Sequence, residues 1–568
     1  MDICTAGPIA EEPEVYSDDQ WKTYYDDVNG GILPTKLVED ARQLERDWLA
    51  KEGVYTKVPR EVMESEGATA IPLLWIDTNK GDANKPFVRS RLVVMEATKG
   101  KKAKFEQLSP EKLFSAMPWL EALKLLCSIQ ATQQRSSRGA ELKLAFWDIS
   151  RAHFMSKCER RLFVKLPEGD PDRHTHVGLL QRTMYGTQDA SHLWQKNYTD
   201  LLAKKGYVPG KTNPSIFYNP FDGSRLFVHG DDFVLLGDQR SITEMDTLLN
   251  SKFTCKHVAT LGTEAGDSQE ACILNRIVRI TEDGIEIEGD RRHAELLARD
   301  LGLEKAKSVD TPRVKHSESD VWKGAESRVL SSSEATLFRS CVMRASYLGQ
   351  DRMDIQEAVK CLAQSMKNPN EFNFQELKRL GRYVLGRPRA VLKFPKQAMP
   401  NSLDAWVDAD HAGDIITRKS TSGMAIFFGK HLLKSSSTVQ STIALNVGES
   451  EYYAAVKGSA HALGIKSLMA DWGLSSAIRL NVKTDCAAAK GFATRRGLGK
   501  QRHVNTRYLW LQDRVASGDI RIVKVRTTEQ MADPLTKAMA VGMRDPLITT
   551  AGLVFDSTRA VTQKGLLA

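Results

Sequence analysis

The stretch 226–238 reads LFVHGDDFVLLGD. Two short apolar runs, 226–228 and 233–236, flank a polar centre, His229-Gly230-Asp231-Asp232. Apolar runs of this length bounded by turn residues suggest strands, and Gly-Asp suits a hairpin turn. Two carboxylates then sit side by side at the tip of a buried hairpin. Taken alone, Asp231 and Asp232 are adequately read as turn formers. Adjacent carboxylates near a core, however, repel each other and resist desolvation, and a divalent cation is the usual remedy. Such a site needs a third carboxylate.

At 568 residues the chain holds roughly three or four domains at about 150 residues each. With 41% hydrophobic and 27% charged residues it has the composition of a soluble globular protein. A net charge of +9 is compatible with a polyanionic partner without requiring one. Eight cysteines (Cys4, Cys127, Cys158, Cys255, Cys272, Cys341, Cys361 and Cys486) form no C-x-x-C pair. Their scatter argues against a zinc ribbon or disulfide scaffold and for a reducing, intracellular compartment, cytoplasm or nucleus. The acidic N-terminus lacks the apolar core of a signal peptide, and no run of 18 apolar residues suggests a membrane span.

Upstream of the hairpin, residues 1–35 are acidic and rich in Gly and Pro, and read as loose. The spacing of Leu37, Ala41, Leu44 and Leu49 predicts a surface helix over 35–52. Strands are expected at 71–77 and 87–95, forming a hairpin that puts Arg89 and Arg91 on one face. Two such arginines serve either as a solvated edge or as a phosphate clamp. A helix is expected over 114–133, then a strand over 142–149 (LKLAFWDI) carrying Asp148 near its end. A lone Asp there could be a helix cap. Beside Asp231 and Asp232 in one sheet, it would complete a two-metal phosphoryl-transfer site. Further expected elements are a strand at 162–166, an amphipathic helix over 179–205 and a helix over 244–256. A hairpin is expected over 272–288, a linker at 308–312, and helices over 293–303, 330–350, 355–366 and 373–384. The last carries Lys378, Arg379 and Arg382, with Arg387 beyond it. This basic face is either solvated or tracks a nucleic-acid backbone.

The block from Trp75 through Gly237 resembles the reverse transcriptase of copia-type LTR retrotransposon polyproteins. LKLAFWDISRAHF is similar to the family's first catalytic motif, and LFVKLPEGD to its strand ending in Pro-Glu-Gly. LLQRTMYGTQDASHLW, which contains Gly186, resembles its helix motif, and the 226–238 hairpin stands where the family has Tyr-Val-Asp-Asp. The resemblance implies that Asp148, Asp231 and Asp232 bind the catalytic metals. It also implies that Arg89, Arg91, His153 and Gly186 belong to the substrate site, the two arginines on a fingers strand facing the incoming nucleotide. Five positions in this block depart from the family. His229-Gly230 replaces Tyr-Val, and Asp189 and Ser191 replace Gln and Pro. His153 replaces the bulky aromatic that blocks a ribose 2′-hydroxyl, so weaker exclusion of ribonucleotides is expected.

A second constellation begins with Asp408 on an expected strand, AWVDAD. Strands are expected at 424–428, 441–445, 478–484 and 520–525. Helices are expected over 449–463, after Asp485, over 503–515 and over 528–539, the last bearing Asp533. Asp, Glu, Asp and Asp at element ends in one α/β unit suggest a four-carboxylate, two-metal site. DADHAGD followed by RKSTSG, ending at Gly423, resembles the copia-type RNase H opening. GESEY, TDC and ADPLTK place Glu451, Asp485 and Asp533 at the family's catalytic positions. RHVNTRY is similar to a further family motif, with Asn505 in place of Asp. By resemblance all four metal ligands, Asp408, Glu451, Asp485 and Asp533, are present.

The expected fold is therefore a multidomain α+β and α/β chain, a right-hand fingers–palm–thumb polymerase followed by an RNase H-like domain. Its divisions are an N-terminal extension (1–44), fingers and palm (45–256), thumb and connection (257–395), RNase H-like domain (396–545) and tail (546–568). The resemblance implies an RNA-directed DNA polymerase and ribonuclease H using two Mg²⁺ per site, with Mn²⁺ as a substitute. Its partners would be an RNA template, a DNA primer, the RNA–DNA hybrid and dNTPs, with no membrane. A decayed or repurposed element that binds nucleic acid, retaining at most the nuclease, is the alternative. Neither a protease Asp-Thr/Ser-Gly motif nor an integrase His-His-Cys-Cys site occurs, so the chain reads as the polymerase–nuclease end of a polyprotein, or a fragment of one.

Overall fold

A computed structural model describes residues 23–28, 30–81, 85–96, 108–290, 292–474 and 477–556. The expected loose segment falls largely, and the end of the tail wholly, outside them. The chain divides into two compact units, one of residues 1–115 and 151–197, the other of 116–150 and 198–567. Among the described residues no helix is long and apolar enough to cross a membrane.

In the first unit, strand Leu73–Asn79 pairs antiparallel with Val88–Val94. Strand His176–Leu180 lies between Tyr55–Pro59 and Phe163–Val164. Helix Thr35–Lys51 packs on the Val88–Val94 strand and buries Val38 and Leu49. Leu44, counted by spacing as apolar face, is 69% exposed. The helix expected over 179–205 is shorter. Leu179 and Leu180 are strand, and the helix runs Ala190–Ala203. The turn between them passes through Gly186 with φ +89°, a left-handed conformation that ends any regular helix.

Among the described residues the second unit holds three five- or six-stranded sheets. The first is wholly antiparallel, in the order Cys255–Leu261, Lys143–Ile149, Asp232–Gly237, Arg225–His229, Ile216–Tyr218, Val208–Pro209. Helix Leu120–Gln133 backs the core. It starts six residues later than expected, because Pro118 disfavours helical backbone before it and Trp119 is extended. Cys255 and Lys256, expected at a helix end, open the strand paired with Lys143–Ile149. The preceding helix is Gln239–Asn250, capped by the Asp238 side chain accepting from the Ser241 N–H.

The second sheet runs Glu270–Ile273, Arg276–Thr281, Gly284–Gly289, Arg389–Pro395, Leu553–Asp556. Its last strand comes from the tail, to which the sequence assigned no role. The third runs His431–Val439, Thr421–Phe428, Ser402–Ala409, Arg479–Thr484, Arg521–Lys524, the last two parallel to Ser402–Ala409. The strand expected at 441–445 is absent, and the actual edge strand is His431–Val439. The helix expected over 503–515 reduces to a 3₁₀ turn, Thr506–Leu509, and helix Trp510–Ala516. The helix expected over 528–539 is two 3₁₀ turns, Thr527–Glu529 and Asp533–Leu535. Pro534 supplies no N–H to a longer helix.

Candidate active sites

The hairpin is built as its sequence suggests. Leu226, Phe227, Val228 and Phe233–Leu236 are buried, and Gly230-Asp231 form the turn. Gly230 has φ +66° and Asp231 is not left-handed, the sign pattern of a type II′ turn, which favours glycine first. Asp232 pairs directly with Asp148 across neighbouring antiparallel strands. The Ile149 N–H donates to the Asp231 carbonyl at 3.0 Å, which ties the turn to the same strand end. Burial first, then Asp231 and Asp148, push the Asp232 carboxyl up to about 7. A cavity of about 590 Å³ opens beside Asp231 and Asp232, with Trp119, Leu274, Arg276 and Gln350 on its wall. Arg276 is itself fixed by Asp351 (2.7 Å) and Gln350 (2.8 Å).

The second acidic cluster is tighter. Asp408, Glu451 and Asp485 each bring a carboxylate oxygen within 4.8 Å of the others. The hairpin aspartates and Asp148 are not among the trios gathered that closely. Asp408 lies near the end of the central strand, and Asp485 follows the parallel neighbour Arg479–Thr484. Glu451 is in the second turn of helix Val447–Asp471, which packs on that central strand and is capped by Asn446. Asp533 arrives on the 3₁₀ turn, its Oδ1 2.9 Å from Lys537 Nζ. Asp408 Oδ2 accepts a 2.5 Å hydrogen bond from Thr536. Burial, with Asp408 and Asp485 nearby, pushes Glu451 up to about 9. Burial, with Asp533 and Asp485, pushes Asp408 up to about 6 against the Thr536 bond. Glu451 Oε2 is buried without a hydrogen-bond partner.

Glu449, two residues before, is different. It accepts from Tyr453 (2.6 Å) and the Leu445 N–H (3.0 Å), with His503 Nε2 at 2.9 Å. These contacts outweigh burial and hold its carboxyl low. Of the two glutamates in GESEY, Glu451 is the one gathered with the other acids, Asp408 and Asp485.

The remaining expected site residues lie in the first unit. Arg89 and Arg91 share the more exposed face of the Val88–Val94 strand. The Arg91 guanidinium sits 4.6 Å over the Tyr185 ring, and the His153 ring meets the same tyrosine edge-on at 4.9 Å. Burial, then neighbouring Arg91, lowers the pKa of Arg89. A Cβ on Gly186 would lie 2.0 Å from the Val94 carbonyl oxygen. Its position therefore serves close packing of this turn on the arginine strand. Asp189 is bound by Arg160 (2.7 Å), as is Glu96 (2.6 Å). The basic helix is Glu371–Gly386, and its arginines are engaged by their own chain. Arg379 donates to Thr311 and Arg382 to the Lys307 carbonyl, each at 2.7 Å. Arg387 donates to Tyr383 at 2.7 Å.

Sequence reasoning missed Thr536 and Gly423 as site residues, although it quoted both within motifs. Gly423 pairs with Asp408 on the neighbouring strand. A Cβ there would lie 2.7 Å from Thr536 Cγ2 and 2.9 Å from the Ala532 carbonyl oxygen. Its missing side chain lets the Asp533 turn seat against the sheet.

Residues 56–274 match the family model described as reverse transcriptase (RNA-dependent DNA polymerase). The chain is 28% identical over 424 residues to the retrovirus-related Pol polyprotein from transposon RE1 of Arabidopsis thaliana, covering 73% of this chain and 27% of that protein. It is 23% identical over 517 residues to the Pol polyprotein from transposon TNT 1-94 of Nicotiana tabacum, covering 88% of this chain and 36% of the relative. The chain thus spans only about a third or less of these two polyproteins. The solved structure of a foamy viral protease–reverse transcriptase in complex with double-stranded DNA aligns with a TM-score of 0.50 at 12% identity. It covers 89% of this chain and 74% of that one, a likeness of fold. Taken with the hairpin and its paired aspartate, the family model and these relatives support a copia-type retrotransposon Pol polyprotein.

Proposed function

We propose that this chain copies RNA into DNA from dNTPs at Asp148, Asp231 and Asp232, and hydrolyses the RNA strand of the hybrid at Asp408, Glu451, Asp485 and Asp533. In this reading residues 45–256 are fingers and palm, 257–395 thumb and connection, and 396–545 an RNase H-like domain. The observation that carries it is the direct pairing of Asp232 with Asp148 beside the Asp231 turn. The nuclease half rests on the Asp408–Glu451–Asp485 trio.

Both acid sets suit hard divalent cations, Mg²⁺ or Mn²⁺. Their donors are carboxylate oxygens, and Glu451 Oε2 is buried without a hydrogen-bond partner. Asp148, Asp231 and Asp232 would hold the ions of the first site, and the four nuclease acids those of the second. Bound there, the ions make a 3′-hydroxyl or a water more acidic and neutralise phosphate charge. The chain's own residues do the rest. Paired strands fix Asp148 and Asp232 at one level, so little reorientation is needed when a primer end arrives. Gly230 leaves the hairpin tip without a side chain against the incoming strand. By the resemblance, Arg89 and Arg91 would supply cationic donors for the nucleotide's phosphates and His153 would meet its sugar. Template, primer, hybrid and dNTPs are the proposed partners.

Primer extension on an RNA template and hybrid cleavage, both with Mg²⁺, test the reading together. Asp148→Asn should stop synthesis and spare cleavage, and Asp485→Asn should do the reverse. Tight hybrid binding without nucleotide incorporation by the unaltered protein would select the decayed element instead.

A further inference from the structure

We infer that Thr536 is a positioning residue for the nuclease site, holding the Asp408 carboxylate toward Glu451 and Asp485 through a buried hydrogen bond. The inference rests on the nuclease reading above and assigns within it a role that the four acids do not fill.

Asp408 sits on a strand, where its backbone is fixed but its carboxylate can still rotate. Two other acids crowd it within 4.8 Å, and whenever they are ionised together their repulsion favours rotation away. The Thr536 hydroxyl opposes that rotation at 2.5 Å from Oδ2, in a place where both residues are buried. A hydroxyl has one proton to give. Its other acceptor in reach, the Asp533 carbonyl, is at 3.1 Å, so the shorter bond to the carboxylate takes the proton.

The hydroxyl is itself held on three sides. The Thr536 N–H donates to the Asp533 carbonyl at 3.1 Å, closing the 3₁₀ turn. Gln530, fully buried, donates through its amide to the Val407 carbonyl at 2.9 Å and accepts from the Ala532 N–H at 3.2 Å. It thereby staples the start of the turn to the strand that carries Asp408. Gly423, paired with Asp408, leaves the space that Thr536 and Ala532 occupy. One short segment therefore delivers a carboxylate, Asp533, and three residues later the hydroxyl that aims a second carboxylate. Groups that orient metal ligands in this way commonly contribute about 10–100-fold in metal affinity.

The test is Mn²⁺ binding to the full chain carrying Asp148→Asn and Asp232→Asn, so that the nuclease site is the one read, by titration calorimetry and electron paramagnetic resonance. Thr536→Val keeps the shape and removes the donor, and Thr536→Ser keeps the donor. Valine should weaken Mn²⁺ binding about tenfold or more and raise the Mn²⁺ concentration needed for half-maximal hybrid cleavage. Serine should restore both to near the unaltered level. Circular dichroism and the melting midpoint check that each variant folds. Equal Mn²⁺ affinity in the valine variant, or a serine variant as weak as valine, overturns the positioning role. If the chain with Thr536 intact took up no Mn²⁺ here and cleaved no hybrid, the nuclease reading itself would fall, and this role with it.

Discussion

His431 should make the second unit acid-labile, and the size of the effect follows from its surroundings. Its ring is fully buried at a junction of three elements. Nε2 lies 2.7 Å from the Pro395 carbonyl, so it carries the proton and donates. Nδ1 lies 2.7 Å from Ser128 Oγ on helix Leu120–Gln133 and 3.0 Å from Gln397 Nε2, and so accepts. The neutral ring is thus satisfied on both sides, and a second proton would face the Gln397 amide donor. Burial accordingly lowers its pKa from 6.5 to about 4. Between those two values the unfolded chain binds a proton that the native ring refuses. Stability from this group is therefore complete above pH 6.5 and is lost as the pH falls toward 4. A shift of this size corresponds to about 3 kcal/mol in full, and about 2 kcal/mol of it should go between pH 7 and pH 4.5.

The perturbation is His431→Gln, which cannot titrate. Other groups lose stability in acid too, so the quantity to follow is the difference in urea-unfolding free energy between the two proteins. The histidine protein should hold an advantage at pH 7 that shrinks by about 2 kcal/mol by pH 4.5. Ring resonances followed by NMR should stay in the neutral position through pH 5.5. A constant difference across that range, or a ring titrating near 6.5, refutes the reasoning.

Three other outcomes are expected. Gly186→Ala should cost about 2–4 kcal/mol, from left-handed backbone and the clash with Val94, read as a lower melting midpoint of the first unit. Truncation after Gly552 removes the strand paired with Arg389–Leu392 and the 2.7 Å Arg389–Asp556 ion pair. Amide exchange over those residues should accelerate, while exchange in Lys143–Ile149 stays slow. If the proposed polymerase role holds, His153→Phe should raise the preference for dNTPs over rNTPs about tenfold in side-by-side primer extension.

The two catalytic candidates were legible to different degrees. The hairpin announces itself locally, because apolar runs around Gly-Asp leave the backbone one economical way to turn. Its pairing with Lys143–Ile149 spans 84 positions from Asp148 to Asp232, and no local pattern encodes that register. Cys255–Leu261 was hidden for a related reason. Its CKHVATL follows directly on an amphipathic helix, and its partner strand lies a hundred residues upstream. The segment 179–189 has helix-like apolar spacing, but strand pairing takes its first residues and Gly186 breaks the rest.

The second site shows why acids are easier to find than the residues that aim them. Asp408, Glu451, Asp485 and Asp533 stand out together, because four carboxylates at element ends in one α/β unit are harder to read as caps than any one of them alone. Thr536 and Gly423 have many. A threonine after Asp-Pro-Leu reads as part of a helix, and a glycine after Ser-Thr-Ser reads as a turn. Only the fold reveals that they touch, 113 positions apart, on either side of Asp408. The same contact explains why 528–539 is not a helix. Helical continuation would place Asp533 and Thr536 roughly a turn apart along one axis, with their backbone donors spent internally. The two 3₁₀ turns instead free the Ala532 N–H for Gln530 Oε1 and let the segment press onto Gly423. The strand's missing side chain and the turn's irregular backbone are thus one adaptation, and restoring either a Cβ or a regular helix there should pull Thr536 off Asp408.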